Sequence, residues 1–275
     1  MNRFNTLLII AGLSAAVSLK GQSIHGVIGA DAQMQAGISA TLNNCFSVIN
    51  NPSQMSWLKS WQAGVYSEQR FSKRELSLSN VSVVLPAKII DLGFGINHYG
   101  FSDFNQQRFT LSMSKKLAQT LSLGVQVNYV LTTINEYGTS GAFVFGAGVS
   151  YQPTDKMMLG FSVYNPNQQE LSSKISDKLP SYARFGIQYK VNTKVYVLAE
   201  AGQQTEQNTG LRGAIRYEPH KRVSFAVGVS TQPIIFNFGT SLKVADINID
   251  MAAGVHPVLG VIPQLSIRFP SAITK

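Results

Sequence analysis

Charge is what this sequence has least of. Asp, Glu, Lys and Arg together make up 13% of its 275 residues, against roughly 25% in an ordinary soluble domain. Much of the folded surface is therefore not built for water. Long apolar runs are scarce as well: beyond the first twenty residues none reaches the roughly eighteen that a spanning helix needs, which excludes a helical membrane protein. Cysteine is nearly absent. Cys45 stands alone, so an intramolecular disulfide, a cysteine zinc site and a paired-thiol redox centre are all excluded. A chain that is 44% hydrophobic without a spanning helix leaves the closed β-barrel, the other architecture that satisfies every backbone polar group in lipid.

What is present fits that class. Apolar residues alternate with small or polar ones, most clearly at Leu121, Leu123, Val125, Val127, Tyr129 and Leu131. About eleven residues of this pattern make one tilted membrane-crossing strand. The pattern recurs from Gln62 to Phe269 and predicts an all-β fold: one transmembrane antiparallel barrel of about fourteen strands. In the second strand the apolar parity changes between Leu78 and Val81, which predicts a bulge or a misplaced boundary. Short links, such as Pro153 to Asp155 and Pro219 to Lys221, alternate with mostly longer ones, such as Gly100 to Gln106, Ile134 to Ser140 and Asn165 to Pro180. Even strand number, short periplasmic turns and longer outer loops are the rule for bacterial outer-membrane barrels. Both termini are then expected on the periplasmic side.

The N-terminus reads as an export signal, residues 1–21. Arg3 precedes an apolar core from Thr6 to Leu19 that is too short to span a bilayer, and cleavage after Ser18 or Gly21 fits equally well. Residues 22–61 lack strand alternation, 62–269 carry the barrel, and 270–275 form a tail. The formal net charge is +9. For an exported chain that favours outer-membrane lipid and lipopolysaccharide phosphates over nucleic acid as partners.

Between signal and barrel, Gly29 to Ala40 is rich in small residues, Leu42 to Ile49 follows, and then comes Asn51-Pro52-Ser53. Asn51 is a good helix N-cap and Pro52 a good first helical residue, so a short helix is expected over Pro52 to Leu58. This succession resembles the FadL-like outer-membrane proteins, including the PorV and PorQ proteins of type IX secretion, with Ser53 where their NPA-type motif has Ala. The resemblance implies that the segment sits inside the barrel as a plug, with Asn51, Pro52 and Ser53 as the plug motif. It implies a PorV- or PorQ-like accessory role in protein secretion or surface attachment, with secretion or surface proteins as partners. The alternative is a FadL-like channel taking up small hydrophobic compounds. In the last strand, Phe269 resembles the aromatic signal read by barrel-assembly machinery.

Candidate chemistry is sparse. The four histidines, His25, His98, His220 and His256, are scattered without metal-ligand spacing, and no Ser/His or Asp/His set marks a catalytic site, so neither an enzyme nor a bound cofactor or metal is expected. Gly93 and Gly95, or Gly146 and Gly148, lie within strands, where glycine leaves room for a packed segment. On the inward parity, a turn centred at Asn192 puts Arg184 opposite Glu200, and a turn centred near Thr205 to Glu206 puts Glu200 opposite Arg212. The three then form a charge row across the lumen wall, read first as a structural ladder and otherwise as a polar constriction.

Overall fold

The computed structural model describes residues 26–172, 175–205 and 207–270. The expected export signal, its cleavage site, His25 and residues 271–275 of the tail lie outside these. The strands in the first half are β1 (Gln62–Gln69), β2 (Ser77–Leu85), β3 (Asp91–Gly100), β4 (Phe104–Ala118), β5 (Leu121–Ile134), β6 (Gly138–Thr154) and β7 (Met157–Tyr164). A small hairpin follows, β8 (Glu170–Ser172) and β9 (Ile175–Lys178). The second half holds β10 (Tyr182–Lys190), β11 (Val195–Gln204), β12 (Gly210–His220) and β13 (Val223–Thr231). It closes with β14 (Ile234–Val244), β15 (Ile247–His256) and β16 (Gly260–Phe269). All but β8 and β9 join one closed antiparallel barrel of fourteen strands, sealed by β1 against β16.

The period-two pattern decides which side each residue faces. Phe94, Phe109, Phe143, Phe161, Phe185, Phe225 and Phe238 all stand exposed on the outside, while Asn80, Ser82, Asn97, Ser112, Ser122 and Asn128 are buried within. An apolar exterior around a polar interior inverts a soluble barrel and matches a wall solvated by lipid. Two expectations need correction. No bulge interrupts β2, whose pairing runs unbroken against β1 and β3. The parity change arises because Leu78 faces inward, fully buried in a core cluster with Phe46 and Ile49. The anticipated loops Gly100 to Gln106 and Ile134 to Ser140 are mostly strand, because β4, β5 and β6 extend well past their neighbours. The Asn165 to Pro180 link, in turn, carries the β8–β9 hairpin.

Residues 27–56 lie inside the barrel and nearly all are buried. They form helical turns α1 (Ala30–Gln33) and α2 (Ser47–Asn50) and a 3-10 helix at Pro52–Trp57. Asn51 caps the last of these, its side chain accepting from Ser53 N, with Pro52 at the first helical position. Four-residue helices cannot stand alone; wall contacts hold them. Ala30 N donates to Ser266 Oγ at 2.6 Å, Ser112 Oγ donates to Val48 O at 2.6 Å, and Cys45 N donates to Gln62 Oε1 at 2.8 Å. Cys45 is free and fully buried, and burial pushes its thiol well above the usual range. A protonated, enclosed thiol reacts slowly. A bulky membrane-impermeant maleimide is thus expected to label Cys45 only after denaturation; prompt labelling of the folded barrel would contradict this packing.

Candidate functional site

The wall is shaped around the inner segment. A Cβ built on Gly160 would lie 1.9 Å from Ala40 O, one on Gly124 would lie 2.4 Å from Pro52 C and Ser53 N, and one on Gly148 would meet Asn51 Oδ1 at 2.0 Å. Only glycine lets backbone approach backbone so closely. Gly93 and Gly95 likewise face Met55, Val48 and Ile49, whereas Gly146 faces the Gln126 side chain. Asn51, Pro52 and Ser53 are thus pressed against β5 and β6. Asn51 Nδ2 donates to Ala40 O at 2.6 Å, Ser122 Oγ donates to Ser53 O at 2.9 Å, and Ser53 Oγ shares a hydrogen bond with Ser150 Oγ.

The charge row is only partly as the turns suggested. Glu200 does pair with Arg212, both in register and through an Oε1–Nη1 ion pair at 2.5 Å. Arg184, however, stands opposite Gly202, and Glu200 opposite Gly186. The connecting turn is closed by Val191 N donating to Val195 O, so its centre is residue 193 and not Asn192. One residue of displacement in the centre moves every partner by two. The second Glu200 oxygen accepts from Ser39 N at 2.8 Å and Ala40 N at 2.9 Å, so it anchors the inner segment. Arg184 turns instead to Ser39 Oγ, 3.3 Å away, and to the face of Tyr182, 4.1 Å from its centroid.

Arg184 belongs to a stack that sequence reading missed. Tyr182 lies parallel to Tyr164 with centroids 5.0 Å apart, and the Arg108 guanidinium sits 5.6 Å from the Tyr164 ring. The order is Arg108, Tyr164, Tyr182, Arg184. Arg108 is fully buried, and its Nε and Nη2 have no hydrogen-bond partner among the described residues. Beside the stack lies a buried apolar cluster of Val130, Ala142, Val144 and Leu179. Inward parity on β4, β7 and β10 was the available signal for the stack. Its assembly depends on registers between strands far apart in sequence.

The wall thins at this cluster. β6 pairs with β5 from Gly138 onward but with β7 only from Gly146, because β7 ends at Tyr164. Residues 138–145 of β6 therefore have no barrel strand on that side. The β7–β10 link fills in: Asn165 N donates to Phe145 O, Ser140 Oγ donates to Leu171 O at 2.7 Å, and Asn165 Nδ2 donates to Leu179 O at 2.8 Å. Outside this gap stand Phe143 and Phe145, both exposed.

Two cavities flank the inner segment. One of about 300 Å³ opens at the long-link end, where Val27, Phe71, Tyr182, Arg184, Arg212 and Ile235 are part of its lining. The other, about 580 Å³, opens at the short-turn end. Among the described residues no group of three or more His, Cys, Asp or Glu side chains is arranged to hold a metal ion.

Solved bacterial barrels share this fold. The Ralstonia pickettii toluene transporter TbuX superposes with a TM-score of 0.65 at 12% identity, over 89% of this chain and 97% of that one. A Pseudomonas aeruginosa FadL homologue gives 0.65 at 13%, over 89% and 99%. The Pseudomonas putida toluene transporter TodX gives 0.62 at 12%, over 88% and 95%. The fold is that of a FadL-like barrel. At such identities the likeness is one of fold and carries no assignment of solute. No family model and no curated protein matches the sequence.

Proposed function

We propose that this chain is a non-enzymatic outer-membrane barrel passing small hydrophobic compounds through a lateral gap in its wall, its short-turn end facing the periplasm. The observation that carries this reading is the missing strand partner beside residues 138–145 of β6, backed by the apolar cluster of Val130, Ala142, Val144 and Leu179. The inner segment is packed inside the barrel between the two cavities, and on this reading a solute entering from the long-link end leaves sideways, past Leu179 into lipid. The apolar exterior supports the membrane setting, and FadL-like transporters of the same fold support the activity. The secretion-accessory role that the PorV- and PorQ-like pattern implies finds no counterpart in those structures, and ranks second.

Uptake of radiolabelled toluene by cells displaying the barrel tests this. The wild-type chain is expected to raise the initial rate several-fold over cells without it. Ala142→Trp, which fills the cluster behind the gap, should return the rate to background while the protein keeps its heat-resistant gel mobility. Equal rates with and without the wild-type barrel would refute the reading.

A further inference from the structure

The short-turn end carries a feature that hydrophobic transport does not use. Its cavity of about 580 Å³ is lined by Lys59, Arg216, Lys221, Arg222 and Lys243, with His220 beside them. Only two carboxylates reach the lining, Asp31 and Glu218, and both are engaged. Glu218 pairs with Arg216 at 2.8 Å, while Asp31 accepts from Asn44 Nδ2 at 2.6 Å and faces Arg268. Lys59, Lys221 and Arg222 make no ion pair among the described residues.

The surrounding field is net positive. Lys88, Lys156, Lys190 and Lys194 sit on or beside neighbouring short turns and outnumber Asp91, Asp155 and Asp246 there, whereas the opposite end mixes Arg70, Lys73 and Arg74 with Glu75, Asp103, Glu136 and Glu170. A mouth with an excess of one sign of charge, set in a low-dielectric wall, concentrates counter-ions of the other. The volume falls within the range of small-molecule sites. Asn43, Ser60, Gln62 and Asn248 add neutral hydrogen-bonding groups to the lining.

We infer that this vestibule binds a small multivalent anion, a phosphorylated or polycarboxylate compound, whether free in solution or as a phospholipid headgroup. Lys59, Lys221 and Arg222 supply the charge. The inference is independent of the channel reading, since it uses the other end of the lumen.

Calorimetric titration of the purified full barrel with inorganic tripolyphosphate, at low and moderate salt, tests it. The wild type is expected to bind saturably with one site. The triple variant Lys59→Gln/Lys221→Gln/Arg222→Gln should lose about tenfold or more in affinity, with unchanged thermal stability because all three are exposed. A control variant of equal charge change, Lys88→Gln/Lys156→Gln/Lys194→Gln, should bind as the wild type does. Equal weakening in the two variants would mean a diffuse field without a site, and absence of saturable binding would likewise overturn the proposal. Repeating the titration in nanodiscs separates the sources. Competition by phosphatidylglycerol but not by phosphatidylcholine identifies a headgroup as occupant, and identical affinity in both identifies a free solute; either result supports the site.

Discussion

Arg268→Ala is expected to be the most destabilising single substitution in this barrel, costing about 3 to 5 kcal/mol, the usual range when one partner of a buried ion pair is removed. Arg268 reaches Asp250 twice, with Nε to Oδ2 at 2.8 Å and Nη2 to Oδ1 at 2.8 Å, and its Nη1 lies 3.6 Å from Asp31 Oδ2. One guanidinium thus serves the wall and the inner segment together. Without it two carboxylates remain buried close to each other, with Asn44 and Ser241 as neutral donors. The temperature at which the protein loses its heat-resistant gel mobility should fall sharply. The pH dependence follows from Asp31, whose carboxyl burial pushes up even with Arg268 present. A carboxylate raised in the folded state destabilises as pH climbs above its unfolded value, because the unfolded chain gives up the proton more easily. The deficit of the variant should therefore be larger at pH 8 than at pH 5. A variant that melts with the wild type at pH 8 would show that this network contributes nothing.

How much of this was legible beforehand depends on range in sequence. The alternation at Leu121 to Leu131 is local, set by side chains on successive residues, and it located strands and their outward faces. The even strand count agrees with an antiparallel barrel closed by β1 against β16. Register is a different matter. Glu200 and Arg212 were placed opposite each other because their turn centre was read correctly, while Arg184 was misplaced because a turn with Asn192 accepting from Lys194 N and Val195 N is one residue further on. Leu78 looked like a parity error because a large apolar residue facing the lumen makes sense only once Phe46 and Ile49 are known to lie there. The Arg108–Tyr164–Tyr182–Arg184 stack joins β4, β7 and β10, and the Asp31–Arg268 contact joins the two ends of the described chain. No local pattern encodes such meetings. They emerge from closure of the barrel around its own N-terminal segment.

Glu200 tests that closure from the other side of the lumen. Its carboxylate is buried and accepts from Ser39 N, Ala40 N and Arg212 Nη1 at once, and hydrogen bonds to a charged group contribute about 1.5 to 3 kcal/mol each. Glu200→Gln keeps the shape but removes the charge, and its amide offers one acceptor oxygen where the carboxylate offered two. Either the segment amides or Arg212 must then lose their partner, so a loss of about 2 to 4 kcal/mol is expected. Because the Ser39–Ala40 turn would be the part set free, the variant should also shorten the time needed to label Cys45, which the wall encloses in the intact protein. A second substitution separates two causes. If the loss comes mainly from an Arg212 cation left without its counter-charge, Glu200→Gln/Arg212→Gln should recover stability relative to the single variant, giving a coupling energy of roughly 0.5 to 3 kcal/mol. If it comes from the backbone amides, the double variant should melt no higher than the single one while labelling stays fast. Unchanged melting and unchanged labelling in Glu200→Gln would remove Glu200 as an anchor and leave the glycine-lined wall of β5 to β7 as what holds the segment in place.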